Sequence, residues 1–122
     1  MSLVDHLGVW RLQRAGFARR DVETTEGRVA TWVRPGQGIP VVMLHGVSGR
    51  GSHYLPLIER VLSQLGTIVL PDFPGHGDSD LPRTRNHISA LYQGVAEAID
   101  QTLDEPAVLY GNSMGGYAAL KY

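Results

Sequence analysis

Apolar and polar positions along the chain change period several times, and each change marks an element. Near the start Leu3, Leu7 and Trp10 recur at helical spacing. From Ala18 to Thr24 and from Arg28 to Arg34 two alternating runs flank Thr25-Glu26-Gly27. Val29, Thr31 and Val33 share one face there and Ala30 and Trp32 the other, which predicts an antiparallel hairpin. Pro35-Gly36-Gln37-Gly38 ends that pattern. Val41 to Leu44 is a continuous apolar run, suited to a strand covered on both faces. Tyr54, Leu57, Ile58, Val61, Leu62 and Leu65 then predict a helix, with Pro56 tolerated near its first turn. Thr67 to Leu70 reads as a second buried strand, and Pro71 to Arg85 as a loop rich in Pro, Gly and Asp. Ile88, Leu91, Tyr92, Val95, Ile99 and Leu103 mark another amphipathic helix, with Asn86 as its N-cap. Ala107 to Tyr110 is the last strand, and a helix containing Tyr117, Ala118, Ala119 and Leu120 follows. After the hairpin, strand and helix alternate. The expected class is α/β, a mostly parallel sheet with flanking helices, forming one unit over residues 1–122 without repeats or linkers.

Composition adds exclusions. The chain has 122 residues, 43% of them hydrophobic, enough for one real core. A net charge of -1 gives no electrostatic case for nucleic acid or an anionic membrane as partner. Arg11, Arg14, Arg19 and Arg20 gather early, but Asp21, Glu23 and Glu26 follow, as on a solvated mixed-charge surface. The absence of cysteine excludes disulfides, zinc–thiolate sites and a thiol nucleophile. The N-terminus has no signal-peptide pattern and no apolar run approaches membrane-span length, so a cytoplasmic location is expected.

Candidate chemistry gathers after the three apolar strands, at the carboxyl ends where open α/β sheets bind ligands. The last strand runs into Gly111-Asn112-Ser113-Met114-Gly115. A serine on a tight strand-to-helix turn is lifted clear of the backbone and faces free helix N-terminal amides. Side chains in place of Gly111 and Gly115 would collide with the adjoining strand and helix. The other two loops are His45-Gly46-Val47-Ser48-Gly49-Arg50-Gly51 and Asp72-Phe73-Pro74-Gly75-His76-Gly77-Asp78-Ser79-Asp80. Nucleotide binding fits neither. A P-loop needs lysine where Ser52 stands, and the glycine spacings miss the dinucleotide fingerprint. His76, Asp78 and Asp80 match no usual metal motif, and no metal or other cofactor is expected. His45 reads as a structural histidine bonded within its loop, His53 and His87 as surface residues, and Arg50 as a solvated arginine that could otherwise meet a substrate carboxylate.

From about Val22 to Tyr122 the chain resembles the N-terminal half of an α/β-hydrolase-fold protein, on the strength of these three loops in this order. The resemblance implies that Ser113 is the nucleophile, that Gly46 belongs to the oxyanion loop, and that the backbone N–H groups of Val47 and Met114 form the oxyanion hole. It gives the loop from Pro71 to Asp80 a largely structural role. It also implies a sheet ordered 1-2-4-3-5-6-7-8, of which strands one to five are present. Strand 107–110 is then an open apolar edge, available for pairing. Epoxide hydrolases and haloalkane dehalogenases of this fold use aspartate at the elbow, so Ser113 points away from both. Asn112-Ser113-Met114-Gly115 resembles carbon–carbon bond hydrolases and also some esterases and lipases.

In this family the acid and the histidine follow the nucleophile, yet no Asp, Glu or His follows Ser113. The expectation is therefore a serine hydrolase of small-molecule esters, thioesters or related bonds, a carbon–carbon bond included, in a shortened form inactive alone. The alternative is a non-catalytic partial fold that acts as an interaction module through its open sheet edge.

Overall fold

The computed structural model describes residues 2–61, 66–84 and 87–122. Helix α1 spans Leu3–Arg14 and opens with a capping box, the Ser2 hydroxyl accepting from the Asp5 N–H while Asp5 reaches back to the Ser2 N–H. Strands β1 (Ala18–Thr24) and β2 (Gly27–Arg34) form the expected hairpin, paired antiparallel with Thr24 opposite Gly27. Gly27 takes a positive φ of 102°, where a β-carbon would be strained.

Strand β3 (Val41–Leu44) leads through a 3-10 turn, Gly51–Tyr54, into α2 (Leu55–Val61). Pro56 lies in the first turn of α2, where its missing N–H costs nothing. The helical positions Leu62 and Leu65 lie outside the described residues, as does Asn86. Strand β4 is Ile68–Pro71, helix α3 Ile88–Thr102, strand β5 Val108–Gly111 and helix α4 Met114–Lys121. The N-cap of α3 is His87, whose ring accepts from the Ser89 N–H.

The strands form one five-stranded sheet in the order β1-β2-β4-β3-β5. β3 pairs parallel with both β4 and β5, while β2 meets β4 antiparallel. This is the partial α/β-hydrolase arrangement expected from the sequence. Alternation within β3 and β4 divides the core. Val41, Met43, Ile68 and Leu70 face Leu12, Phe17, Leu55 and Ile58 on the α1–α2 side. Val42, Leu44 and Val69 face Phe73, Leu91, Val95, Ile99, Met114 and Ala118 on the α3–α4 side. Both strands are buried on both faces, which is why each reads as an unbroken apolar run. A fully buried side chain of this size stabilises by roughly 1.5–3 kcal/mol, so these two layers set the frame that the loops hang from. Among the described residues no helix is long and apolar enough to cross a membrane.

Candidate active site

The loop after β5 is held by steric exclusion. Ser113 has φ 55° and ψ -117°, a conformation few non-glycine residues adopt and one costing on the order of 1–3 kcal/mol. Its neighbours leave no alternative path. A β-carbon on Gly115 would stand 1.9 Å from the Leu44 carbonyl oxygen, and one on Gly111 would stand 2.3 Å from the Gly115 oxygen. The turn is closed by Gly115 N–H donating to Asn112 O at 2.9 Å and Asn112 N–H donating to Leu44 O at 3.1 Å. Ser113 is exposed, stands at the N-cap of α4, and makes no capping hydrogen bond with its side chain. Its hydroxyl therefore stands in the open beside the first-turn amides of α4, which have no intrahelical acceptor.

The loop after β3 lies against this turn. A β-carbon on Gly46 would be 3.5 Å from the Ser113 β-carbon, so the two loops touch at that point. Val47 is 68% exposed, while the Met114 side chain is buried in the α3–α4 layer. Ser48 shares with Ser113 a positive φ, 63°, and these are the non-glycine residues with that backbone among those described. His45, Gly46, Val47, Tyr54 and Asn112 line a cleft of about 340 Å³ beside the turn.

His45 is buried and its ring is fully committed. Its Nε2 accepts the Phe73 N–H at 3.0 Å, so that nitrogen carries no proton. The proton is then on Nδ1, which donates to Gly46 O at 2.7 Å. Burial pushes its pKa down to about 4, against the opposing effect of the Gly46 bond, so the ring is neutral near pH 7. Its one basic lone pair is occupied, which leaves it structural and unable to take a proton from a serine.

Asp72, at the end of β4, joins the two upstream loops. Its buried carboxylate accepts from Gly51 N–H at 2.7 Å and Asp78 N–H at 3.1 Å, and its carbonyl accepts from the Ser79 hydroxyl at 2.6 Å. Desolvation raises its pKa, and those two amide bonds work against the rise. The sequence pointed to Asp72 only as the start of a loop. Its role depends on residues at 51 and 78, which no local pattern links.

Arg50 corrects an expectation. It is buried, with Nη2 3.1 Å from Asp78 Oδ2 and Nη1 3.4 Å from Asp5 Oδ1. The Nη2 contact is an ion pair off the hydrogen-bond direction, since that atom has no aligned acceptor. The guanidinium thus ties the loop after β3 to α1 and to the loop after β4, and it is held rather than solvated. His76, Asp78 and Asp80 likewise have separate partners: the Pro74 carbonyl, Arg50 with Arg19, and Arg28. The sequence marked Tyr54 only as the first apolar position of a helix, and it closes the 3-10 turn instead. Its hydroxyl donates to Leu44 O at 2.8 Å, and burial beside Tyr110 pushes its pKa up to about 12.

This geometry can be set beside known proteins. A sequence model described as "Alpha/beta hydrolase family" matches residues 41–122, more than half of the chain. The chain belongs to the alpha/beta hydrolase family. Among curated relatives, phospholipase YtpA of Bacillus subtilis is 34% identical over 97 residues, covering 75% of this chain and 37% of that protein. Pimeloyl-[acyl-carrier protein] methyl ester esterase of Stenotrophomonas maltophilia is 35% identical over 85 residues, covering 70% of this chain and 30% of that protein. A solved structure of the N-acyl homoserine lactonase AidH superposes with a TM-score of 0.77 at 28% identity, covering 86% of this chain and 39% of its own. Uncharacterised mycobacterial relatives match at 30% identity, with the chain spanning 25% of their length. The chain thus spans about a quarter to two fifths of the proteins it matches.

Proposed function

We propose that this chain carries the nucleophile half of a serine hydrolase acting on an ester, thioester or related bond. The observation that carries the reading is the strained Ser113, fixed by glycines that admit no β-carbon and touched by the Gly46 loop. In the reaction Ser113 Oγ adds to the substrate carbonyl carbon as its proton passes to a general base. The carbonyl oxygen becomes an oxyanion facing the Val47 and Met114 amides. Collapse breaks the bond to the leaving group, which takes the proton from the base, and water then releases the acyl group by the same route. Amides fixed in place beforehand stabilise that oxyanion without reorganising, each worth about 3 kcal/mol. The named activities of the relatives, a phospholipase, a methyl ester esterase and a lactonase, all cleave ester-type bonds and favour this class.

His45 is spent on Phe73 and is not that base, and His53, the other histidine lining the cleft, has no carboxylate partner among the described contacts to orient it. The chain alone is therefore expected to turn over no ester. A small-molecule base tests this directly. Incubation of the chain with a fluorophosphonate and added imidazole should modify Ser113 faster than without imidazole, by on the order of 10²-fold if imidazole stands in for the base. Labelling that is indifferent to imidazole, or that persists in Ser113→Ala, sinks the proposal.

A second reading rests on β5, which among the described residues pairs on one side only and leaves Val108 53% and Tyr110 46% exposed. On that reading the edge is an interaction surface for another strand. Gel filtration across a wide concentration range distinguishes it, since an edge that recruits a strand makes the chain self-associate.

A further inference from the structure

Helix α1 is fastened unevenly along its length. Its rear half is anchored in the interior: Leu12 is fully buried with Phe17, Leu55 and Ile58, Val9 packs on the same layer, and Arg11 pairs with Glu59 of α2 at 3.3 Å. Its front half leaves Leu3, Val4 and Leu7 exposed and overlies a crevice of about 410 Å³ between Val4, Gly8, His53 and Pro56. That half reaches the loop after β3 through Asp5, whose Oδ1 stands 3.4 Å from Nη1 of the buried Arg50. It also approaches at Gly8, where a β-carbon would stand 3.2 Å from Ser52 Oγ. Glycine is a poor residue for a helix interior, and here it gives the close approach.

The loop so reached carries strain. Gly49 N–H donates to Gly46 O at 3.0 Å, closing a turn with Val47 and Ser48 at its centre, and Ser48 takes its φ of 63° there. Such strain persists only where the surroundings hold the segment. One end is fixed in the interior by His45, whose ring spans Gly46 O and the Phe73 N–H. The other end is Arg50. Its carbonyl accepts the His53 N–H at 3.0 Å, and its guanidinium stretches between Asp78 on the loop after β4 and Asp5 on α1. Asp78 Oδ2 is shared with Arg19 at 3.4 Å, so Asp5 completes the charge balance of a buried cation. A crevice of about 380 Å³ between Asp5, Ser48, Gly49 and Gly77 leaves the turn room to shift once that pair is broken.

We propose that the front half of α1 is a latch on the loop after β3. Asp5, acting through Arg50, is a positioning residue for the turn at residues 46–49 and so for the Val47 N–H. The hold on the turn stands apart from the reading of Ser113, on which its consequence for reactivity rests.

Amide hydrogen exchange in the full chain, resolved by NMR, tests the latch at two hydrogen-bonded amides of the loop, Gly49 and His53. Val42 in β3 and Gly115 in the elbow serve as references. Asp5→Asn should speed exchange at Gly49 and His53 about fivefold and leave the references unchanged. Asp5→Glu should restore most of the protection. Molar sodium chloride should speed the same two amides in the unsubstituted chain and add little in Asp5→Asn. Ser2→Ala removes the cap of α1 but keeps the pair, so it should leave both amides as they were. No change at Gly49 and His53, or equal acceleration at the references, overturns the proposal. A Ser2→Ala effect as large as that of Asp5→Asn also overturns it, assigning the hold to the helix cap. Imidazole-assisted labelling of Ser113 reads the positioning: it should slow about fivefold in Asp5→Asn and recover in Asp5→Glu. An unchanged labelling rate overturns the positioning role. Failure of the unsubstituted chain to label sinks the reading of Ser113 instead, and the exchange result alone then decides the latch.

Discussion

β3 and β5 lie side by side, parallel and of the same length, and each ends in a loop of the candidate site. They differ in what surrounds them. β3 has a strand on either side and is buried throughout, and its loop is held by hydrogen bonds reaching into the interior through His45, Gly51 and Asp72. Among the described residues β5 has β3 alone as neighbour, and it alternates between exposed and half-buried. Its loop is closed by two backbone hydrogen bonds and confined by exclusion, at two glycines with no room for a methyl group. A covered strand can hold a loop by bonding. A strand at an edge holds one by leaving it a single shape.

The largest expected effect breaks the exclusion. Gly115→Ala forces a β-carbon onto the Leu44 carbonyl and should cost more than about 4 kcal/mol, or abolish folding, as read by urea denaturation. A loss under 1 kcal/mol would mean that the turn can relax, and the contrast between the two loops would fall. The interior side is probed by pH. His45 has a folded pKa near 4, below the value of 6.5 for a free imidazole, so the fold favours the neutral ring. Its contribution is complete above pH 6.5 and is lost as pH falls toward 4, by up to about 3 kcal/mol. Asp72, whose pKa is raised, acts in the opposite sense at the acid end and trims the loss there. His45→Gln should flatten the slope between pH 6.5 and 4.5 in denaturation curves taken across that range. Asp72→Asn keeps the shape but turns an amide donor toward a backbone N–H, and should cost about 2 kcal/mol at neutral pH by thermal or urea melts. The smallest effect belongs to the edge. Val108→Lys, on a half-exposed side chain, should change stability by no more than about 0.5 kcal/mol while reducing any self-association seen by light scattering.

The frame of the fold was legible because β3 and β4 announce themselves as continuous apolar runs, and the hairpin by its alternation. The elbow was legible because its glycine spacing and the strand and helix on either side are local, and Gly111 answers to Gly115 and Gly116, although Gly115 itself answers to Leu44 on β3. What escaped the sequence depends on contacts across long separations. Arg50 looks like a solvated loop residue until Asp5 and Asp78 close around it. Tyr54 reads as a helix residue, yet its hydroxyl serves a strand carbonyl. In α1 the apolar spacing located the helix correctly but not its buried side, since Leu3, Leu7 and Trp10 face out and Leu12 faces in. A period fixes which residues share a face. It does not say which of two apolar faces the rest of the molecule will cover.

The Leu44 carbonyl takes the Tyr54 hydroxyl at 2.8 Å and the Asn112 amide at 3.1 Å, and it abuts Gly115. One oxygen is therefore the common reference point for the stretch that ends in Val47 and the stretch that ends in Met114. In the proposed reaction the Val47 and Met114 amides would thus be placed by how β3 and β5 are stitched together, upstream of either loop. The exposed Val47 side chain can then change without touching that stitching, whereas Ser48 at φ 63° and the crowded Gly49 are held by the loop's own backbone.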